Sequence, residues 1–207
     1  TGIRADYIFH ATGTGGTMAG LAAGRKMAES DTKIISITVS PKDEKYLRKV
    51  EKLANDVLAL IKSPAHVTIE EDLHIDTGYF APGYEQPNEA ASEAIRLLAR
   101  TEGLFVDPVY TGKALAGLID YVRSGKVPQG SNVVFWHTGG ATALFAEHEI
   151  LGKLYNNSAA TILGEEGDWY QIKSGSVTGY VKKEYVVSGD EAATLAEQVG
   201  NKIATVV

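Results

Sequence analysis

Short apolar runs alternate with amphipathic stretches along most of this chain. Tyr7-Ile8-Phe9-His10-Ala11-Thr12 reads as a buried strand that runs into Gly13-Thr14-Gly15-Gly16-Thr17 and then a helix, Met18 to about Ser30. Lys33 to Val39 is a second strand of the short apolar kind that parallel sheets bury. A long helix follows from about Lys42 to Lys62, with Tyr46, Val50, Leu53, Val57, Leu58 and Ile61 at helical spacing. The stretch Thr77-Gly78-Tyr79-Phe80-Ala81-Pro82-Gly83-Tyr84 cannot be a regular element. Helix resumes from about Asn88, a capping residue, to Thr101, with Ala90, Ala94, Ile95, Leu97 and Leu98 as its apolar face.

Leu104-Phe105-Val106 then reads as a short strand, Asp107 to Gly112 as a turn, Lys113 to Ser124 as a helix, and Asn132 to His137 as another buried strand. Thr138-Gly139-Gly140 breaks that strand before a helix expected over Ala141 to Glu149. Strand, loop and helix in repeated succession predict an α/β domain with an open, mostly parallel sheet. After about Lys153 the texture changes. Ala160-Thr161-Ile162-Leu163, Trp169-Tyr170-Gln171-Ile172 and Thr178-Gly179-Tyr180-Val181 read as three short strands with turn residues between them, as in a small β-barrel, and Asp190 to Val199 returns to helical spacing. The expected division is residues 1–154 and 155–207, the second part marginal as an independent core.

Composition narrows the chemistry. A chain of 207 residues, 44% hydrophobic and 22% charged, buries one good core and a small second one. A net charge of -6 argues against nucleic acid, because phosphate neutralisation needs clustered Lys and Arg. The absence of cysteine removes disulfides, thiolate catalysis and cysteine-zinc sites. The five histidines (His10, His66, His74, His137, His148) are dispersed without metal-ligand spacing, so no metal is expected. No apolar run reaches bilayer length and no membrane partner is expected. The chain starts at Thr1 without signal-peptide pattern or initiator Met, which leads to the expectation that it begins inside something longer or after a removed tag.

Three motifs carry candidate chemistry. Gly13-Thr14-Gly15-Gly16-Thr17 sits between a strand and a helix N-terminus, where free N–H groups and the helix dipole face an anion; two threonine hydroxyls among three glycines favour phosphate over a mere steric turn. It lacks the Lys-Ser/Thr of a nucleotide-triphosphate loop, and Met18 stands where a dinucleotide fingerprint wants glycine. Tyr110, at the carboxyl end of the expected sheet, could pack on a planar ligand or carry a proton, or be a core tyrosine with a satisfied hydroxyl. Thr138 could bond a ring nitrogen or belong to a plain strand-to-helix turn.

In order and wording, Ala11 to Leu21, Gly83-Tyr84, Asp107-Pro108-Val109-Tyr110-Thr111-Gly112-Lys113-Ala114 and His137-Thr138-Gly139-Gly140 resemble the D-cysteine desulfhydrase and aminocyclopropane-carboxylate deaminase family, fold-type-II pyridoxal-phosphate (PLP) enzymes. The resemblance covers residues 1 to about 150 and implies the large domain of such an enzyme, cytoplasmic, with pyridoxal 5'-phosphate as cofactor, a small amino acid as substrate and room for a homodimer. It further implies that Gly13, Thr14, Gly15, Gly16 and Thr17 cradle the cofactor phosphate, that Tyr110 and Tyr84 are active-site tyrosines, and that Thr138 approaches the pyridine nitrogen. Deaminases typically carry glutamate after the motif tyrosine. Thr111 stands there, a departure that favours the desulfhydrase-like branch because a hydroxyl does not keep a ring nitrogen protonated.

The family's Schiff-base lysine lies upstream of the phosphate loop, and no lysine here stands in that context; Lys113 looks structural. The expectation is therefore an incomplete chain without turnover of its own. Separately, Gly167 to Ile172 and Gly175 to Val186 resemble the distal half of a bacterial SH3-like domain from exported cell-wall hydrolases, with Trp169, Tyr170 and Tyr180 expected as packing residues. That resemblance leaves an alternative: a non-catalytic module binding cell-wall peptide or glycan through the tail. A junction near residue 155 would then join two unrelated parts.

Overall fold

The computed structural model describes residues 2–140, 143–144, 158–175 and 177–198. The chain divides into two compact units, Thr1–Ala146 and Glu147–Val207. The expected helix over Ala141 to Glu149 falls almost wholly outside the described residues, as does the expected junction near residue 155.

In the first unit, β1 (Tyr7–Thr12), β2 (Lys33–Thr38), β3 (Ile75–Asp76) and β4 (Val133–Phe135) form one parallel sheet in the order β3-β2-β1-β4. The register pairs Tyr7 with Lys33 and Thr12 with Thr38 on one side of β1, and Tyr7 with Val133 and Phe9 with Phe135 on the other. The helices are α1 (Gly16–Met27), α2 (Glu44–Leu60), the single turn α3 (Ile69–Asp72), α4 (Glu89–Glu102) and α5 (Thr111–Arg123). Strand alternation sorts the sheet's two faces. Phe9, Ala11, Ile37 and Val39 form one core with Ala114 of α5 and Val127, and Tyr7, Ile35, Val133 and Phe135 pack against it. A second core joins Met18, Ala19, Ala22 and Ala23 of α1 to Val50, Ala54 and Leu58 of α2, with Val67 and Leu73. Gly117 lets α5 lie close on β2, since a Cβ there would stand 2.7 Å from Ile37 Cδ1.

Two of the long helices start at a side chain that accepts an orphan N–H. Asp43 caps α2 by accepting from Tyr46 N (2.8 Å), and Asn88 caps α4 by accepting from Ala91 N (2.7 Å). Gly103 ends α4 in the left-handed conformation (φ 65°). On the outer side of α1, Arg25 and Lys26 reach the buried carboxylate of Asp72 at 2.7 and 3.3 Å, tying α3 to the helix layer.

Four expectations are corrected. Leu104-Phe105-Val106 is no strand: it is a short link between α4 and the Asp107 turn, Leu104 and Phe105 are exposed, and the Phe105 carbonyl accepts from the His137 side chain. β4 is an edge strand and not buried, which leaves Val134 and Trp136 exposed. On α2 the buried stripe is Val50, Ala54 and Leu58, while Leu53, Val57 and Ile61 face outward, because the small Ala54 and not Leu53 meets α1. On α4, Ala91 and Ser92 are buried in place of Ala90. The short β3 and α3 had no apolar run long enough to announce them.

The second unit contains β5 (Thr161–Glu166), β6 (Trp169–Ser174) and β7 (Val177–Lys182), an antiparallel sheet in sequence order, followed by a 3-10 turn at Lys183–Tyr185 and α6 (Gly189–Gln198). All three expected strands are present. Gly167 (φ 57°) makes the β5–β6 turn. Trp169, Tyr170 and Tyr180 are half-buried, and Ile172 is the buried side chain of the sheet.

Under α1, the fully buried His10 donates from Nδ1 to the Ala11 carbonyl (2.9 Å) and accepts at Nε2 from the Ser36 hydroxyl (2.7 Å). Burial lowers its pKa from 6.5 to about 4. Below 6.5 the unfolded chain binds a proton that the folded chain refuses, so stability falls as pH drops toward 4. This group alone removes about 3 kcal/mol over that window. Urea unfolding as a function of pH checks this: a His10→Gln variant should lose that part of the slope while the wild type keeps it.

Candidate functional site

Because the sheet is parallel, the carboxyl ends of β1, β2 and β4 lie along one edge. β1 is the switch point: β2 lies on one side of it, and β4, reached only after α4 and α5, lies on the other. The loops that leave β1 and β4 therefore part over a crevice, the place where open α/β sheets bind ligands. Gly13 to Gly15 leave β1, and Trp136 to Gly140 leave β4.

The first loop runs into a helix start that no side chain caps. Gly15 has φ 99°, and a Cβ on it would lie 2.5 Å from Val50 and 3.2 Å from the Tyr46 hydroxyl, so only glycine fits. No side chain caps α1 and its first turn carries no acidic residue, which leaves the N–H groups and the positive end of the dipole free for an external acceptor. Thr14 and Gly16 are exposed and Thr17 is half-buried. Beneath the loop, the Tyr46 hydroxyl and Thr12 Oγ1 share a hydrogen bond of 2.8 Å, which pins α2 to the end of β1.

Tyr110 sits against this loop, not behind a strand as expected. It is the residue before α5, and its ring edge would lie 3.2 Å from a Cβ on Gly13. Its hydroxyl is hydrogen-bonded to that of Tyr84, with the two rings edge to face at 5.9 Å between centroids. That bond, together with desolvation, pushes the Tyr110 phenol up to about 12, so it keeps its proton at neutral pH. Tyr84 is carried by the irregular loop, which Lys113 holds from below. The Lys113 Nζ donates to the Phe80 and Gly83 carbonyls at 3.2 and 2.8 Å, as a structural lysine would.

Asp107 organises the turn before α5. Its buried carboxylate accepts from the backbone N–H of Val109 (2.9 Å), Tyr110 (2.7 Å) and Thr111 (2.8 Å) and from the Thr111 hydroxyl (2.6 Å). The second loop closes on the same carboxylate, since a Cβ on Gly140 (φ 88°) would fall 2.7 Å from Asp107 Oδ1. His137 fixes the other side: its Nε2–H donates to the Phe105 carbonyl (2.8 Å) and its Nδ1 accepts from Gly139 N (3.0 Å), which sets a neutral tautomer. Thr138 is exposed between these anchors.

Gly13, Tyr110 and Tyr84 thus meet through direct contacts, and the Thr138 loop joins them through Asp107. Thr111 is fully buried with its hydroxyl spent on Asp107, so it is a fastening of the turn. Sequence reading gave no role to Asp107, Tyr46 or His137. An Asp-Pro ahead of a helix is the turn signal that could have found Asp107; Tyr46 and His137 act only through partners distant in sequence. Among the described residues, no group of three His, Asp or Glu side chains could hold a metal ion, and no helix is long and apolar enough to cross a membrane.

Residues 1–139 match the model of the pyridoxal-phosphate dependent enzyme family, and residues 146–187 match that of the bacterial SH3 domain. The chain belongs to the pyridoxal-phosphate dependent enzymes. It is 42% identical over 145 residues to a 1-aminocyclopropane-1-carboxylate deaminase of Ralstonia nicotianae, covering 70% of this chain and 43% of the relative. It is 45% identical over 141 residues to a D-cysteine desulfhydrase of Salmonella typhi, covering 67% and 41%. A crystal structure of an ACC deaminase homologue aligns with TM-score 0.62 and 30% identity over 73% of this chain and 46% of that one. The chain spans less than half the length of these relatives.

Replacing Asp107 with alanine strands several buried N–H donors at once and should lower the unfolding free energy by about 3 kcal/mol. Asp107→Asn keeps one acceptor oxygen and should cost less. Urea titrations of the two variants against wild type test the ordering.

Proposed function

From this family membership we propose that the first unit seats the phosphate of pyridoxal 5'-phosphate on Gly13, Thr14, Gly15, Gly16 and Thr17, and that the site serves the deamination or desulfhydration of a small amino acid. The observation that carries the reading is the convergence of an uncapped, carboxylate-free helix N-terminus with a tyrosine pair packed against it. The residues fit the group. The glycines admit close approach to backbone N–H donors, the two threonines add hydroxyl donors, and the Tyr110 ring beside Gly13 offers a face or edge to a planar ring.

The cofactor, when bound, supplies an electron-accepting ring for breaking a bond at the alpha carbon of an amino acid. The chain's own residues supply the rest. The loop orients the phosphate and so the ring, and the Thr138 hydroxyl is the group for the pyridine nitrogen. In the Tyr110–Tyr84 pair one hydroxyl donates to the other, which leaves the O–H of the accepting tyrosine to donate toward a bound ligand. With Thr111 turned to Asp107, no carboxylate follows the motif tyrosine, which supports the desulfhydrase-like branch.

Turnover by this chain alone is not expected. Lys113 is fully buried on two carbonyls, and the Lys42 ammonium lies on Ser40 Oγ (2.8 Å) and over the Tyr46 ring. Neither is poised as a free amine for the reaction. A second reading concerns the tail alone: its bacterial SH3 match and the exposed Tyr185 favour a surface that binds cell-wall peptide or glycan. Retention on peptidoglycan that is lost in Trp169→Ala, with the tail still folded, would support that reading.

Cofactor binding is tested by fluorescence titration of the full chain with pyridoxal phosphate, competed with inorganic phosphate. Thr17→Asp puts a carboxylate in the first turn of α1, which favours the helix but repels phosphate. It should keep the melting temperature while weakening binding at least about tenfold, that is by about 1.4 kcal/mol. Equal affinity in the two proteins, or wild-type binding that phosphate does not compete, would sink the assignment. Addition of D-cysteine should release no sulfide.

A further inference from the structure

The irregular stretch from Thr77 to Tyr84 is held by its carbonyls. Asn88 Nδ2 donates to the carbonyls of Tyr79 (2.9 Å) and Ala81 (2.8 Å), and Lys113 Nζ donates to those of Phe80 (3.2 Å) and Gly83 (2.8 Å). Two side chains therefore take four carbonyls of one loop. The Asn88 side chain also caps α4 through Ala91 N. Among the described residues, the Lys113 ammonium is hydrogen-bonded to these two carbonyls and caps no helix.

Its placement is costly. Lys113 is 0% exposed and lies in the first turn of α5, against the positive end of the helix dipole. Burial lowers its pKa, and the nearby Asp107 carboxylate opposes that only in part. A methionine of similar reach would fill the same space without a charge to desolvate. It could not donate to two carbonyls. Gly83 is the residue before Tyr84, and Tyr110 lies three residues before Lys113 at the same helix start. The ammonium on Gly83 and the phenol pair therefore fasten one loop to one helix end at adjacent points.

We propose that Lys113 is a positioning residue for Tyr84: its ammonium fixes the Gly83 carbonyl so that the Tyr84 hydroxyl stays on that of Tyr110. The relevance to catalysis rests on the tyrosine pair belonging to the proposed site, whereas the geometry is tested without cofactor or turnover. Asn88 holds Tyr79 and Ala81, whereas the carbonyl of Gly83, the residue next to Tyr84, takes the Lys113 ammonium at 2.8 Å and the Gln86 N–H at a longer 3.4 Å, so Lys113 is its side-chain anchor.

The test uses the full chain labelled with tyrosine carrying 13C at Cζ, the Tyr84 and Tyr110 resonances being assigned with Tyr84→Phe and Tyr110→Phe. In wild type, Tyr110 should titrate well above an ordinary tyrosine because of its bond to Tyr84, and Tyr84→Phe should bring it down. Lys113→Met should bring it down in the same way, by about one pH unit or more. In Lys113→Ala, methylammonium should restore the high midpoint, while tetramethylammonium, which has no N–H to donate, should not. A Lys113→Met chain that loses melting temperature yet keeps the wild-type Tyr110 titration overturns the proposal, as does rescue by both cations alike.

If neither variant folds, reductive methylation of the wild-type chain decides. Lys113 should resist labelling under conditions that modify the exposed Lys45. Ready labelling of Lys113 that leaves the Tyr110 titration unchanged overturns the proposal. Pyridoxal phosphate binding measured on wild type separates the two ideas: its absence removes the cofactor reading without moving the tyrosine result.

Discussion

The first unit depends on β1 being paired in parallel on both sides. The ladder to β2 runs the whole length of the strand, whereas the ladder to β4 covers only Tyr7 to Phe9, with Trp136 N adding one more bond to the Phe9 carbonyl (2.8 Å). Parallel pairing puts every strand-to-helix loop at one edge, and the reversal of strand order at β1 opens a gap between the loops after β1 and β4. The glycine loop, the tyrosine pair and the Thr138 loop owe their proximity to that reversal. Nothing local to any one motif would bring them together.

Within the gap, geometry is held by polar groups buried beneath the chemistry. Asp107 collects the free N–H donors at the start of α5 and leaves no room for a Cβ at Gly140; Tyr46 ties Thr12 to α2 and walls in Gly15. Each neutralises donors or hydroxyls that would be expensive to leave unpaired away from water. The glycine loop itself is left uncapped, which is the opposite treatment of a helix start. α2 and α4 receive Asp43 and Asn88, whereas α1 receives no side-chain acceptor, the feature on which the proposed phosphate seat rests.

Much of the fold was legible. The strands of β1 and β2, the four long helices of the first unit, the irregular Thr77–Tyr84 stretch and the three tail strands all follow from apolar periodicity and turn chemistry. Leu104-Phe105-Val106 was misread because three apolar residues look the same whether they enter a ladder or cross over its end. The exposed edge position of β4 was not visible either, since Val133, Val134 and Phe135 are as apolar as a central strand. On α2, helical spacing marked a stripe wider than the one buried, because the face that meets α1 is chosen by how closely Ala54 lets the helices approach.

The sequence by itself determined the parts: a strand feeding a glycine-rich helix start, a tyrosine after Asp-Pro, a Thr-Gly-Gly turn and an antiparallel meander at the end. These are local matters, set by side-chain periodicity, by the φ that only glycine adopts and by capping chemistry. Tertiary structure decided which parts touch. Tyr84 and Tyr110 lie 26 residues apart and Phe80 and Lys113 lie 33 apart, and each pair meets only because α5 returns across β1 and β2 after the chain has passed β3. Thr111 shows the same limit at one residue: its place beside the motif tyrosine was legible, but that its hydroxyl serves Asp107 was not, because the direction of a side chain at a helix start is set by the turn that precedes it.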